Sequence, residues 1–197
     1  WTKDRAQDTA YKADRALVGT TANIMDRLVL EGKSRDGGVD YAAMGGLIDD
    51  MRTQGLSVGM ERGALDKKMV DLVTAKAIEY KDASILDILD RKAADGISLS
   101  GGDYGRDAKL RAAVTVQSRI HQDMANKHAE DKAKDAAELK SLQVDYFGKL
   151  AADPNYNPDA AFRDRMRRLD PDWETKEAGW REGLLKRDTV EDKKAVM

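Results

Sequence analysis

The chain has two histidines, His121 and His128, which by type are its best candidates for metal binding or acid–base chemistry. On a helix, residues seven apart share one face, and Asp131 lies one turn further along. A zinc motif on one helix needs ligands four residues apart and a third from elsewhere, and no His-Glu-x-x-His sequence is present. Ser118 shares the face of His121, but neither an acid nor a nucleophile elbow accompanies them. We therefore expect solvated or partly packed histidines and no bound metal.

Two carboxylate pairs are candidates for acid–base hydrolysis. That chemistry needs two carboxylates facing each other across a cleft, one of them with a raised pKa. Asp49 and Asp50 are neighbours on a predicted helix and point in different directions. Asp87 and Asp90 lie on the polar side of an apolar stripe. We interpret both pairs as solvated faces.

Two glycine-containing segments are candidates for phosphate binding. Gly32-Lys33-Ser34 matches the end of a phosphate-binding loop, but Arg27 stands where that loop needs a glycine. The segment 101–105, Gly-Gly-Asp-Tyr-Gly, precedes a predicted helix without the strand or the glycine spacing of a nucleotide site. We interpret the first as a helix C-cap and the second as a helix start capped by Asp103 or Asp107. The sequence thus predicts a protein that is not an enzyme and holds no cofactor.

One local basic cluster consists of Arg163, Arg165, Arg167 and Arg168. Arginines on a short helix can contact phosphate, or they can pair with acids on a neighbouring helix or subunit. Asp164 and Asp170 dilute the cluster, and the net charge of the chain is −2, so no basic field supports nucleic-acid binding. We favour pairing with acids and keep phosphate contact as the alternative.

Trp173 and Trp180 are seven residues apart and share a helix face, which Leu184 extends. Such a compact apolar patch near the end of the sequence is typical of a docking surface. The sequence leaves open whether it docks on this chain or on another protein.

The composition indicates long helices. Charged residues make up 36% of the 197 residues, aromatic residues only 6%, and there are three prolines. This mix is typical of solvated helices with thin apolar stripes. The absence of cysteine excludes disulfides and Cys-ligated metal sites. No stretch reaches the roughly 18 apolar residues of a membrane-spanning helix.

Apolar residues recur at three- and four-residue steps along the whole sequence, which predicts an all-α fold, an elongated assembly of helix-corner-helix pairs with one long charged helix. We predict helices over residues 1–34, 40–53, 61–80, 85–96 and 103–152, followed by two short helices. The predicted regions are helical pairs over 1–96, the long helix over 97–152 and short helices over 153–197. Because the chain begins at Trp1 rather than Met, we expect either a processed chain or the ordered part of a longer one.

The predicted long helix has apolar positions from Leu110 to Met124 and from Leu139 to Leu150, separated by a polar waist over 126–135. The other helices are too short to cover it, so we predict a homo-oligomer whose subunits pack through this helix. The candidate interface residues are Ile120, Leu142, Tyr146, Trp173 and Trp180. We expect Ile120→Asp or Leu142→Asp to impair assembly more than helicity.

Residues 72–90, Leu-Val-Thr-Ala-Lys-Ala-Ile-Glu-Tyr-Lys-Asp-Ala-Ser-Ile-Leu-Asp-Ile-Leu-Asp, precede a glycine loop and a long charged helix. This arrangement, over about a third of the chain (64–119), resembles the internal virion proteins, or DNA-ejection proteins, of short-tailed bacteriophages. Proteins of that family are much longer than this chain. The resemblance implies a helical protein that leaves the capsid and joins sister ejection proteins in a tube across the host envelope. It implies no catalytic residue, since cell-wall cleavage belongs to a different ejection protein.

We therefore expect a non-enzymatic structural protein located in the virion interior and, on infection, in the host envelope or periplasm. Its expected partners are further copies of itself, other ejection proteins and, transiently, viral DNA. A helical adaptor or scaffold that binds a protein partner through Trp173 and Trp180 is the alternative.

Overall fold

The computed structural model of the chain describes residues 2–34 and 38–183. It is 83% helical, which confirms the predicted all-α, multi-helix fold. Its α-helices are α1 (Thr2–Ser34), α2 (Tyr41–Ser57), α3 (Arg62–Tyr80), α4 (Asp103–Ala152), α5 (Ala160–Leu169) and α6, described over 173–183. Two 3-10 helices, Ala83–Asp90 and Leu99–Gly101, lie between α3 and α4.

The chain divides into two compact units. Unit 1 is Trp1–Asp123 and unit 2 is Met124–Met197. The boundary between the units lies inside α4, whereas the three regions proposed from the sequence meet at the ends of helices.

Unit 1 has a core built from α1, α2, α3, both 3-10 helices and the first turns of α4. Met25, Met44, Leu65, Met69 and Ile85 are among its fully buried side chains. Four of its 18 buried residues are methionines, whose unbranched side chains fill irregular gaps between helices. Burial of these residues is what stabilises helices whose surfaces are otherwise charged.

Helix ends in unit 1 follow from capping side chains. The Asp40 carboxylate accepts the backbone N–H of Ala43 at 2.9 Å and starts α2. The Glu61 carboxylate accepts the N–H groups of Gly63 and Ala64 and starts α3. These bonds satisfy amides that have no partner inside the helix. The α3 helix ends where Lys81 adopts a left-handed conformation with φ of 54°.

The predicted end of the second helix at residue 53 is wrong, because α2 continues through Gly55 to Ser57. Gly55 is buried, and a Cβ atom there would lie 2.7 Å from Leu65 Cδ2. The glycine therefore allows α3 to pack closely against α2. The chain leaves the helix later, at Gly59, where φ is +83°.

The segment Ala83–Asp90 is a 3-10 helix rather than an α-helix. Its sequence Ile-Leu-Asp-Ile-Leu-Asp repeats every three residues, which matches the three residues per turn of a 3-10 helix. All four apolar side chains, Ile85, Leu86, Ile88 and Leu89, are therefore buried. Asp87 and Asp90 lie on the remaining, exposed side.

One face of α4 packs within unit 1. Ala112 and Val116 are buried in the core, whereas Leu110 is 61% and Val114 70% exposed. Both pairs have helical spacing, but the small Ala112 side chain permits close approach to the neighbouring helices. Leu110 and Val114 therefore face away from the core.

Unit 2 has an aromatic core. Its fully buried residues are Tyr146, Leu150, Met166 and Trp173. The rings of Tyr146 and Trp173 meet edge to face with centroids 5.0 Å apart, an arrangement that the ring quadrupoles favour. The Tyr146 hydroxyl donates to Glu177 Oε1 at 2.7 Å. Burial and this bond raise the pKa of Tyr146 to about 12.

Candidate functional site

The outer face of α4 is the first candidate site. We use this name for Leu110 and Val114, with Ile120, 37% exposed, at its edge. Two large apolar side chains four residues apart and more than half exposed form an apolar ridge on the helix surface. Nothing in the described part of unit 1 covers them, so this ridge is available for contact with another molecule.

Unit 2 also has exposed apolar residues on α4. Val144 is 65% and Phe147 38% exposed. Between the apolar stretches of α4, residues 117–137 are all exposed, as the polar waist predicted.

The other predicted interface residues lie in the core of unit 2. Tyr146 and Trp173 have no exposed surface, and Leu142 and Trp180 pack against them. The Trp173 and Trp180 rings meet with centroids 5.5 Å apart. The apolar patch thus docks on this chain, one of the two possibilities that the sequence left open, and Trp173 is not accessible to a partner. Leu184 lies outside the described residues.

Two of the four arginines in the cluster pair with acids. The Arg165 guanidinium contacts Glu138 of α4, which lowers the pKa of that carboxyl. Arg167 pairs with Glu174 and, at 3.1 Å, with Asp164. These pairs follow the interpretation that we favoured.

The two remaining arginines of the cluster, Arg163 and Arg168, have different surroundings. Arg163 donates to the amide oxygen of Asn157. Arg168 is exposed. Arg163 lies beside a cleft of about 500 Å³, whose lining also includes Trp173, Glu177 and Arg181.

The histidines and carboxylate pairs are not assembled into a site. His121 and His128 are exposed. Asp49 pairs with Arg91 at 3.3 Å. Across residues 2–34 and 38–183, no three His, Cys, Asp or Glu side chains form a group that could hold a metal ion.

Asp87 and Asp90 have a structural partner that the sequence did not reveal. Lys109 of α4 contacts both, with 3.6 Å to Asp87, and so joins the 3-10 helix to α4. Hydrogen bonds from Lys109 and Ser100 hold the pKa of Asp90 below its ordinary value. The three-residue repeat was the available signal, because it places both carboxylates on one side.

Close packing explains why glycine is required in the two segments that were candidates for phosphate binding. A Cβ atom on Gly105 would lie 1.9 Å from the carbonyl oxygen of Leu99, and one on Gly32 would lie 2.6 Å from Val39 Cα. Gly32 lies in the last turn of α1, which ends at Ser34. Lys33 donates to the Tyr80 carbonyl.

A buried cation in unit 1 was missed from the sequence. Lys76 is 9% exposed, and its Nζ lies 2.5 Å from Asp26 and 2.9 Å from Glu79. Burial alone lowers the pKa of Lys76, but hydrogen bonds to these two carboxylates outweigh it and raise the pKa. The signal was its position one turn beyond Val73 on the apolar stripe of α3.

None of the helices in the described ranges is long and apolar enough to cross a membrane. Comparisons of the chain with protein-family models, with curated proteins and with solved structures found no significant match.

Proposed function

We propose that this chain is a non-enzymatic structural virion protein of a short-tailed bacteriophage. In this proposal it resides in the virion interior, is ejected into the host envelope and forms part of an oligomeric tube for genome delivery. Its partners are further copies of itself, other ejection proteins and the DNA in transit. The resemblance over residues 64–119 motivates the virion assignment, and the outer face of α4 supports the oligomer.

The outer face of α4 is the observation that carries the oligomer. Leu110 and Val114 would lose most of their exposed area against a neighbouring subunit, and removing apolar surface from water drives association. Val144 and Phe147 offer a second apolar surface in unit 2. Each unit therefore has an exposed apolar surface that a neighbouring copy could cover. When such a head-to-tail contact closes on itself, it produces a ring.

The charge of the chain favours a conduit over a nucleic-acid binder. Basic contacts to phosphate dominate the affinity of proteins for DNA. Here 34 lysines and arginines are offset by 36 acids, and Arg165 and Arg167 are neutralised by carboxylates within unit 2. DNA can thus pass a wall of such subunits without being held.

Electron microscopy of the purified protein in the presence of detergent or lipid vesicles tests the proposal. We expect rings or short tubes with a central opening. Uniform single particles of monomer size under all of these conditions would contradict it. Mass spectrometry of purified virions of the source phage supplies the second test, because a structural virion protein must be present there in stoichiometric amount.

A further inference from the structure

The cleft beside Arg163 in unit 2 is lined by charged side chains. Its volume of about 500 Å³ falls within the range of small-molecule sites. Two carboxylates, Glu174 and Glu177, and two guanidinium groups, Arg163 and Arg181, contribute to its lining. The ligand that such a cleft accepts depends on which of these charges already have partners.

Both carboxylates of the cleft are already neutralised. Glu177 accepts from the Tyr146 hydroxyl at 2.7 Å and from Arg181 at 3.0 Å. Glu174 accepts from Arg167 Nε at 2.8 Å. Arg181 is in turn occupied, because it also donates to the Tyr156 carbonyl at 2.6 Å. A cationic ligand would therefore find no unpaired carboxylate in this lining.

Arg163 is the exception among these charges. Its guanidinium donates to the neutral amide oxygen of Asn157, and no carboxylate in the described part of unit 2 forms an ion pair with it. The Trp173 indole nitrogen, which can only donate, is also buried without an acceptor among the described residues. Among the charged side chains that line the cleft, Arg163 is thus the cation that lacks an anionic partner in the described part of unit 2.

We propose that this cleft binds an oxyanion, a phosphate or carboxylate group, through Arg163. The planar guanidinium presents paired N–H donors that match two oxygens of either group. Asn157 already holds the guanidinium at the cleft, so an incoming oxyanion meets a positioned donor. This binding does not depend on the phage assignment, since it rests only on contacts within unit 2.

Calorimetric titration of the full chain with inorganic phosphate and, separately, with acetate tests the proposal at low ionic strength. Loss of a charge-assisted hydrogen bond weakens binding about tenfold or more, so Arg163→Gln should raise the Kd by that factor. Arg163→Lys keeps the positive charge but lacks the paired N–H donors of the guanidinium, so it should bind with intermediate affinity. Arg168→Gln is the matched control, because it removes an exposed arginine of the same helix without touching the cleft, and it should bind like the wild type.

The two titrations distinguish the source of the oxyanion. Tighter binding of phosphate assigns a phosphate ligand, and tighter binding of acetate assigns a carboxylate. Absence of binding by the wild type to both, or equal weakening in Arg163→Gln and Arg168→Gln, would overturn the proposal. Tryptophan fluorescence, to which Trp173 in the cleft wall contributes, checks that each variant is folded. If Arg163→Gln does not fold, the Kd of Arg163→Lys is compared with the Kd of Arg168→Lys. Weaker binding by Arg163→Lys alone supports the proposal, and equal binding by the two variants overturns it.

Discussion

Single charged side chains join the helices of unit 1. Arg52 of α2 is 8% exposed and donates through Nε and Nη2 to Asp66 of α3, at 3.2 and 3.0 Å. Lys76 of α3 pairs with Asp26 of α1, which also accepts from the Tyr80 hydroxyl at 2.8 Å. A buried charge without its partner is costly, so these contacts specify which helix faces meet.

Removal of the Asp66 carboxylate should destabilise the protein. Asp66→Ala removes the carboxylate to which the buried Arg52 guanidinium donates, and we expect a loss of about 2–3 kcal/mol in the free energy of unfolding. Urea unfolding followed by far-UV circular dichroism measures it. Asp50→Ala, which removes an exposed carboxylate of α2, should change stability by less than about 0.5 kcal/mol. Equal effects of the two substitutions would show that the Arg52–Asp66 contact contributes nothing.

The raised pKa of Tyr80 predicts how the free energy of unfolding changes at alkaline pH. Burial and the hydrogen bond to Asp26 raise the pKa of Tyr80 from 10.0 to about 12. Between these values the unfolded chain has lost the phenolic proton while the folded chain keeps it, so stability is complete below pH 10 and falls as pH rises towards 12. Tyr80→Phe should show a shallower fall of unfolding free energy across this window. If the unfolding free energies of the variant and the wild type fall equally with pH across this window, Tyr80 does not contribute to the pH dependence.

The exposed histidines should be dispensable. We expect His121→Ala and His128→Ala to assemble like the wild type, because neither side chain is buried and no metal-binding group surrounds them among the described residues. Elemental analysis of the purified protein should find no stoichiometric zinc. One zinc ion per chain, lost in either variant, would show that the histidines form a site.

At the scale of helices, close backbone contacts position α4 in unit 1. The second 3-10 helix, Leu99–Gly101, directly precedes α4, and Gly105 in the first turn of α4 contacts the Leu99 carbonyl. Lys109, one turn further on, pairs with Asp90. Together these contacts determine which face of α4 is buried and, consequently, that Leu110 and Val114 face outwards.

A methyl group at Gly105 should disrupt this corner. Its Cβ would overlap the Leu99 carbonyl, a backbone group that cannot move aside, so we expect Gly105→Ala to cost about 2–3 kcal/mol. Gly102→Ala is the control from the same corner, because nothing lies within 4 Å of its Cβ position and its φ of −86° suits alanine. Thermal unfolding of both variants measures the difference, and similar melting temperatures would contradict the account.

The sequence predicted the helices well and their packing less well. The α3 helix lies within one residue of its predicted start because Glu61 caps it. The periodicity of α4 was ambiguous, since both Leu110–Val114 and Ala112–Val116 have helical spacing, and hydrophobicity favours the pair that is exposed. Choosing between them requires the surface against which α4 packs. The partners of Arg163 and Arg165 depend likewise on contacts between distant segments.

The whole molecule is proposed to assemble with further copies of itself through α4. Tyr146 and Trp173, two of the residues first proposed for the interface, have no exposed surface, and Leu142 packs against them. Leu142→Asp would therefore disrupt unit 2 instead of reporting on assembly. Leu110 and Val114 are the better probes, because polar replacements at exposed positions leave the core intact.

Sedimentation velocity of the wild type and two double variants tests self-assembly through the outer face of α4. We expect the wild type to sediment as an oligomer and Leu110→Gln with Val114→Gln to sediment as a monomer of unchanged helicity. The control, Leu30→Gln with Val58→Gln, removes two apolar side chains of similar exposure, 59% and 62%, from other parts of unit 1 and should still assemble. A monomeric wild type, or equal sedimentation of the two double variants, would contradict assembly through the outer face of α4.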